Sequence, residues 1–306
     1  MTQPGTALLD GRVVAGHGRR FVVETDSGER LTCLTAGRSV QAVCGDRVRV
    51  ELGSDDALIR EVLPRTSLFS KADARGRAVP AVANLDRVIM VLAPIPAPEL
   101  FLMDKYLAAI EGMGIEAGIV LNKMDLVDAD DDGGLGRRLE YLGGIGYPVH
   151  KVSTRDGSGL KALTTALQGH DNMLVGQSGV GKSSLLNMLV PEARHRIDEL
   201  SAATDEGRHT TTATTLHPLA QGGALVDSPG VRDLELSVRD PGGIGPLFRD
   251  IRAAAPRCRF ADCLHIREPG CAVMMAVEQK EILESRYSSY KKLVNTMRQA
   301  KERKYD

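Results

Sequence analysis

Apolar and polar positions alternate in short runs over residues 11 to 64, as in "RVVAG", "RFVVET", "ERLTCLT" and "DRVRVEL", with Gly, Asp and Ser between them. Runs of this kind without an intervening helical pattern predict four or five strands, enough for a small β-barrel. From residue 86 to 230 the pattern changes. Apolar strands such as "DRVIMVLA", "EAGIVLNK", "PVHKVS" and "NMLVG" alternate with helical-period segments such as "LMDKYLAAIEGMG", "RLEYLGGIG" and "LKALTTALQG". That alternation predicts a mainly parallel sheet with helices on both faces. Near the end, Ile282, Leu283, Tyr287, Tyr290, Leu293, Val294 and Met297 recur close to the helical period. Between them stand Arg286, Lys291, Lys292, Arg298, Lys301, Arg303 and Lys304. A helix docked by its apolar stripe is predicted there. Its basic face is either solvated, the commoner meaning of such a run, or turned to nucleic acid.

Candidate chemistry sharpens this picture. Gly176, Gln177, Ser178, Gly179, Val180, Gly181, Lys182, Ser183 and Ser184 read "GQSGVGKSS", with an apolar strand before them and a helical pattern after. This is the G-x-x-x-x-G-K-S phosphate loop. Its glycines let backbone N–H groups converge on phosphate at a helix N-terminus, Lys182 reaches the β and γ phosphates, and the Ser183 hydroxyl ligates magnesium.

The base is addressed upstream, where Asn122, Lys123, Met124 and Asp125 follow the strand "AGIVL". A carboxylate at Asp125 accepts two hydrogen bonds from guanine. Adenine lacks those donors and would leave the acceptor unpaired, at a cost of about 1–3 kcal/mol. Downstream, Asp227 and Gly230 in "DSPG" supply a D-x-x-G turn for magnesium and the γ-phosphate. The polar stretch "LSAATDEGRHTTTATTLHPL" between loop and turn reads as a mobile switch, with Thr211 the preferred magnesium ligand among Thr210, Thr211 and Thr212. Ser153, in "VSTRDGSGL", falls where a loop that buttresses guanine belongs. The acidic run 128–134 reads as a solvated loop.

N-K-x-D at 122 thus precedes the phosphate loop at 176, the reverse of an ordinary GTPase, so the domain is circularly permuted. Joining nearby termini and cutting elsewhere leaves every core contact in place. Further on, Cys258, Cys263, His265 and Cys271 form a C-x4-C-x-H-x5-C cluster, while Cys33 and Cys44 lie apart. Three thiolates and an imidazole complete a tetrahedral zinc shell with no open position, so a structural zinc site is expected. Disulfides are the competing reading, and the spacing beside a histidine argues for metal.

N-K-M-D, "GQSGVGKSS", "GRHTTT", "DSPGV" and the cysteine cluster, in that order, resemble the ribosome small-subunit-dependent GTPases called RsgA or YjeQ. The resemblance spans nearly the whole chain. It implies an OB-like barrel over residues 1–65, a circularly permuted P-loop GTPase domain over 66–236, and a mainly helical zinc domain with a basic helix over 237–306. It implies hydrolysis of GTP to GDP and phosphate, with Mg2+ and one structural Zn2+, in contact with the small ribosomal subunit and its rRNA during late subunit maturation. It also makes His209 the candidate for orienting the attacking water, because Val231, after the D-x-x-G turn, cannot hydrogen-bond water. An ordinary surface histidine stays open as the other reading. Potassium-stimulated GTPases carry Asn at the fourth loop position, whereas this chain has Gly179.

Composition limits the partners. The 306 residues carry a net charge of −1, so an RNA-binding surface must be local. Residues 64–84 read as a linker, with Arg65, Lys71, Arg75 and Arg77 against one acidic residue, and the barrel alone is as consistent with protein binding as with RNA. The longest apolar stretch, "VIMVLAPIPAPELFLM", is broken by prolines and a glutamate, and no basic leader opens the chain. A cytoplasmic monomer without a membrane anchor is expected. The alternative to a ribosome-stimulated hydrolase is a GTP-regulated RNA- or ribosome-binding module with incidental turnover. The segment 231–248 is expected to act as a lever joining the γ-phosphate loop to the zinc domain.

The Asp125 reading is tested by Asp125→Asn, which replaces an acceptor with a donor. Its preference should move from guanine toward xanthine nucleotides by about tenfold or more in a competition binding assay. An unchanged ratio of GTP to XTP affinity would sink the assignment.

Overall fold

A computed structural model describes residues 8–18, 20–37, 39–53, 57–72, 77–127, 134–191, 214–227 and 240–302, together with Leu234, Leu236 and Val238. Five strands open the fold: β1 (Leu8–His17), β2 (Arg20–Thr25), β3 (Arg30–Thr35), β4 (Arg47–Leu52) and β5 (Ala57–Val62). They pair in the order β1-β2-β3-β5-β4, and β4 returns to β1, which closes a barrel. The period-two pattern decides which side faces in. Val48 and Val50 of "RVRVEL" are fully buried beside Val13, Val23, Cys33 and Ile59, while Arg47 and Arg49 point outward into ion pairs. Gly11 lets β1 cross its neighbour, since a Cβ there would sit 2.7 Å from Val23 Cγ1 and 2.8 Å from the Glu24 carbonyl.

The segment that reads as a linker holds a hairpin, β6 (Leu68–Ala72) with β7 (Ala78–Ala83). Phe69 is its fully buried anchor. Pro80 within β7 and the basic residues Lys71 and Arg77 obscure the alternation.

The expected parallel sheet follows: β8 (Arg87–Leu92), β9 (Glu116–Leu121), β10 (Val149–Lys151), β11 (Asp171–Val175), β12 (Thr214–Pro218) and β13 (Ala224–Asp227), ordered β10-β9-β8-β11-β13-β12. All pairs are parallel except β12–β13. Helices α1 (Leu100–Gly112), α2 (Gly134–Gly144), α3 (Leu160–Leu167) and α4 (Lys182–Leu189) are interleaved with these strands. Two apolar clusters flank the sheet, one around Met90, Leu107, Ile119 and Met173, the other around Val91, Val120, Leu163 and Leu185. β12 does not end the sheet. Its outer edge pairs antiparallel with β1 at Ala15↔Thr215 and Gly16↔Thr214, so barrel and nucleotide domain share one eleven-stranded sheet.

The last region contains α5 (Arg249–Ala254), α6 (Ala272–Glu278) and α7 (Glu284–Glu302) around Phe248, Ile251, Val273, Tyr287, Tyr290 and Val294. Leu236, in the connector, packs on both this core and the core of the parallel sheet. The apolar stripe expected of α7 is present. Arg286, grouped by sequence with an outward basic face, is corrected by the structure: it is 1% exposed. Its guanidinium donates to Asp104 of α1 and to Asp250 of α5, both at 2.8 Å. Arg138 of α2 donates to both Asp104 oxygens at 2.6 and 2.5 Å, and the Tyr141 hydroxyl donates to Asp250 at 2.8 Å. Two carboxylates and two guanidinium groups thus cancel within the dock between the C-terminal helices and α1–α2. Arg249 adds an ion pair to Glu111 and stacks 3.9 Å from the Tyr147 ring centroid.

Removing one member of such a network leaves a buried charge uncompensated. Arg286→Met should therefore lower the free energy of unfolding by about 3–5 kcal/mol in a urea titration. A loss below about 1 kcal/mol would mean that Asp104 and Asp250 do not depend on it.

Candidate nucleotide site and metal centre

Strand β11 is buried along most of its length and delivers the chain into the loop 176–181, after which α4 begins at Lys182. The glycines of this loop are demanded by close approach as well as by positive φ. A Cβ on Gly176 (φ 145°) would lie 2.3 Å from the Val91 carbonyl, and one on Gly181 (φ 94°) would lie 2.3 Å from Asn122 Nδ2. Lys182 Nζ lies across the mouth of the loop, donating to the carbonyls of Gly176 and Gln177 at 2.7 Å each. Asp227 ends β13, the neighbouring strand. Burial pushes its carboxyl upward and the Lys182 ammonium opposes that shift. A divalent cation beside Asp227 would favour the charged carboxylate further.

The N-K-M-D residues come from the carboxyl end of β9 and reach the same loop. Asn122 is fully buried; its Nδ2 donates to the Val180 carbonyl at 3.0 Å and its Oδ1 accepts from the Thr154 N–H at 3.3 Å. Lys123, in the left-handed region at φ 61°, donates through Nζ to the carbonyls of Gly179 at 2.6 Å and Ile95 at 2.9 Å. The Met124 N–H donates to the Val152 carbonyl at 3.1 Å, which holds the turn against the loop 152–159. Asp125 Oδ1 accepts from the Ser153 hydroxyl at 2.7 Å, and Ser153 Oγ in turn accepts from the N–H groups of Arg155 and Asp156. One carboxylate oxygen is thereby fixed, and the Arg155 guanidinium lies 3.7 Å from the other. Contacts that span 28 and 58 residues of sequence thus bring the phosphate loop, N-K-x-D and the Ser153 loop together at one edge of the sheet.

The metal centre lies in the C-terminal region. Cys258 Sγ and Cys271 Sγ are 3.9 Å apart, and each is 3.5 Å from His265 Nδ1. Two sulfurs 2.3 Å from a tetrahedral zinc ion would be separated by about 3.8 Å, and a sulfur and a nitrogen by about 3.5 Å. With Cys263 included, all four donor atoms lie within 4.8 Å of one another, and no cysteine is in a disulfide. Burial pushes the Cys263 thiol up to about 12, with the neighbouring sulfurs adding to the shift, and a bound cation would favour its thiolate form. The framework is braced from outside. The Tyr287 hydroxyl donates to the His265 carbonyl at 2.6 Å and the Tyr290 hydroxyl to the Leu264 carbonyl at 2.8 Å. Glu268 accepts from the N–H groups of Leu264, Ile266 and Arg267, which, against burial, hold its carboxyl down to about 2. The four residues fit one zinc-sized ion.

A family model described as RsgA GTPase matches residues 62–237. The chain belongs to the RsgA GTPase family. A relative from Azotobacter vinelandii, named small ribosomal subunit biogenesis GTPase RsgA, is 39% identical over 293 residues, covering 94% of this chain and 85% of the relative. A Nitrosomonas europaea protein of the same name is 37% identical, covering 97% and 94%. Among solved structures, YjeQ from Thermotoga maritima superposes with a TM-score of 0.77 at 34% identity, covering 95% of this chain and 99% of that one. YloQ, titled a circularly permuted GTPase, superposes with 0.75 at 26% identity, covering 98% and 99%. The permutation inferred from motif order is thus shared with YloQ, and the chain is a GTPase.

The expected site residues His209, Thr211 and Gly230 lie outside the described residues, as does Val231. The structure adds others to the site. Ile95 and Pro96 lie over the phosphate loop, where a Cβ on Gly179 would be 3.7 Å from Pro96 Cδ, and Thr154 and Arg155 extend the Ser153 loop. In sequence the stretch "APIPAP" reads only as the passage from a buried strand to the start of a helix. Its position at the carboxyl end of β8 is the available signal, since open parallel sheets bind ligands at that edge.

The metal centre is tested by Cys263→Ser, which removes one of four donors. Zinc content and the thermal stability of residues 237–306 should fall together, because metal binding here contributes folding free energy. Full zinc occupancy in the purified variant would count against a Cys3His site.

Proposed function

We propose that this protein hydrolyses GTP in step with binding the small ribosomal subunit and acts late in that subunit's maturation. The observation that carries the reading is the meeting of Asn122, Lys123 and Asp125 with the phosphate loop despite their permuted order, which makes recognition of guanine and grip on phosphate one rigid unit. The partner is inferred from the name borne by the relatives, small ribosomal subunit biogenesis GTPase RsgA.

In this reading residues 1–65 form a partner-facing barrel, 66–236 the GTPase domain and 237–306 the zinc domain. Asp125, held by Ser153, accepts from guanine, and Asn122 and Lys123 hold the loop that wraps the phosphates. The N–H groups of 176–184 and the Lys182 ammonium spread over the β and γ phosphates, stabilising the charge that develops as the terminal phosphoryl group leaves. Lys182 lets go of the Gly176 and Gln177 carbonyls to do so. Ser183, Thr211 and Asp227 would hold Mg2+, which would neutralise phosphate charge. Gly230 offers its N–H to the γ-phosphate, and His209 orients the attacking water. Zinc on Cys258, Cys263, His265 and Cys271 is structural. Arg298 and Lys301, on an open groove beside the metal loop, belong to the surface that meets rRNA. No helix among the described residues is long and apolar enough to cross a membrane.

Steady-state turnover should rise about tenfold or more with purified small subunits and not with large ones, and should vanish in Lys182→Ala with or without them. Equal turnover of the native protein with and without small subunits would favour the alternative, a GTP-regulated binding module with incidental hydrolysis.

A further inference from the structure

The barrel is joined to the nucleotide domain at two strands that lead to the nucleotide site. Backbone pairing of Ala15 and Gly16 with Thr215 and Thr214 makes β1 the next strand beyond β12. Thr214 follows directly in sequence on the segment that carries His209 and Thr211. The second junction is ionic. Arg12, four residues from Gly16 on the same strand, donates Nη1 and Nη2 to the two carboxylate oxygens of Asp171 at 3.2 and 2.6 Å. Asp171 is the first residue of β11, whose last residue, Val175, precedes Gly176 of the phosphate loop. The pair is part-buried, with side-chain exposures of 23% and 19%. Asp171 is further tied to the start of β8, because its N–H donates to Asp86 Oδ2 at 2.7 Å and its carbonyl accepts from the Asp86 N–H at 2.9 Å.

The geometry points to β1 as the coupling element between barrel and GTPase site, with Arg12 a positioning residue that sets β1 against β11. A displacement of the barrel cannot leave the nucleotide domain untouched, because β1 closes the barrel against β4 at Leu8–Arg12 and against β2 at Gly11–His17 and is hydrogen-bonded to β12 by the same backbone. Whatever engages the barrel therefore acts on the strand leaving the switch region and on the strand entering the phosphate loop. In the free protein the same linkage runs backward, from bound nucleotide to barrel. That this coupling serves stimulation by the ribosomal subunit rests on the function proposed above.

Arg12→Met separates coupling from folding, with Arg12→Lys as the charge-retaining control. The first measurement needs no ribosome. In native protein, replacing GDP by a non-hydrolysable GTP analogue should change amide hydrogen exchange at β1–β2 and β12 together. In Arg12→Met the response at β1–β2 should fall by about fivefold or more, and Arg12→Lys should recover part of it. A native protein whose barrel exchange ignores the nucleotide, or an Arg12→Met variant that responds as fully as native, overturns the inference. The second measurement is turnover with small subunits. Arg12→Met should keep basal hydrolysis and GDP affinity within about twofold of native and lose most of the stimulation. Loss of basal hydrolysis and of stimulation in equal proportion would assign Arg12 a merely structural role and overturn the inference. A native protein that shows the exchange coupling but no stimulation by the subunit removes the proposed partner and leaves the coupling standing.

Discussion

Two side chains at the end of one strand hold the nucleotide site together. Asn122 and Lys123 leave β9 and donate to three main-chain carbonyls, those of Val180 and Gly179 in the phosphate loop and that of Ile95 after β8. A glycine-rich loop cannot hold its own shape; its backbone is free and its carbonyls need donors. The donors come from the residues that precede Asp125, so the distance between Asp125 and the phosphate loop is set by hydrogen bonds of 2.6 to 3.0 Å. Such contacts depend on which strands are neighbours in the sheet and not on which comes first in the chain. β9, β8 and β11 are neighbours here, and the order of the motifs in sequence can be permuted without disturbing them.

The C-terminal region is attached by a different kind of force. Asp104, Arg138, Arg286 and Asp250 are all at least nine-tenths buried, and as a group they are neutral. Apolar residues of similar volume would hold the helices as firmly or more so. A network of directional hydrogen bonds instead makes one relative placement of α1, α2, α5 and α7 far better than its neighbours, because any slip strands a charge. The Arg249 guanidinium, stacked on Tyr147 and paired with Glu111, restricts the same interface at its other end. α1 begins just after the loop that Lys123 holds, so the dock is built on a helix whose start is already fixed by the nucleotide site.

Sequence is most informative where chemistry requires particular residues at fixed spacing. The phosphate loop, N-K-M-D with Ser153, and the Cys3His cluster can be placed because few alternatives satisfy phosphate, guanine or a tetrahedral ion. The β-strands of the barrel are legible from period-two alternation. What escapes is decided by partners far away in the chain. Arg286 looks like its exposed neighbours until Asp104, 182 residues earlier, is found beside it. The hairpin β6–β7 is hidden by Pro80 and by the basic residues of the segment, although Phe69 is wholly buried. That β1 extends the nucleotide-domain sheet cannot be read at all, because edge-to-edge pairing uses backbone groups that every residue carries.

The barrel's near balance of charge also takes on a local meaning. Carboxylates hold many of its arginines: Arg30 is paired with Glu24, Arg47 with Asp26, Arg49 with Glu61 and Asp10, Arg60 with Glu51, and Arg65 with the buried Asp46. Exposed pairs of this sort add little stability individually, but they lower the positive potential the barrel offers to a polyanion. Releasing such an arginine to a phosphate means breaking an existing pair, so part of the electrostatic gain is cancelled. Around the metal loop charges are mixed as well. Arg298 and Lys301 border an open groove that Asp240 and Glu302 also line, and Arg259 lies over the half-exposed ring of Phe260, which gives a cation and an aromatic face together. With its arginines already paired, the barrel's contribution to any complex must come from shape and short-range contacts that form after encounter.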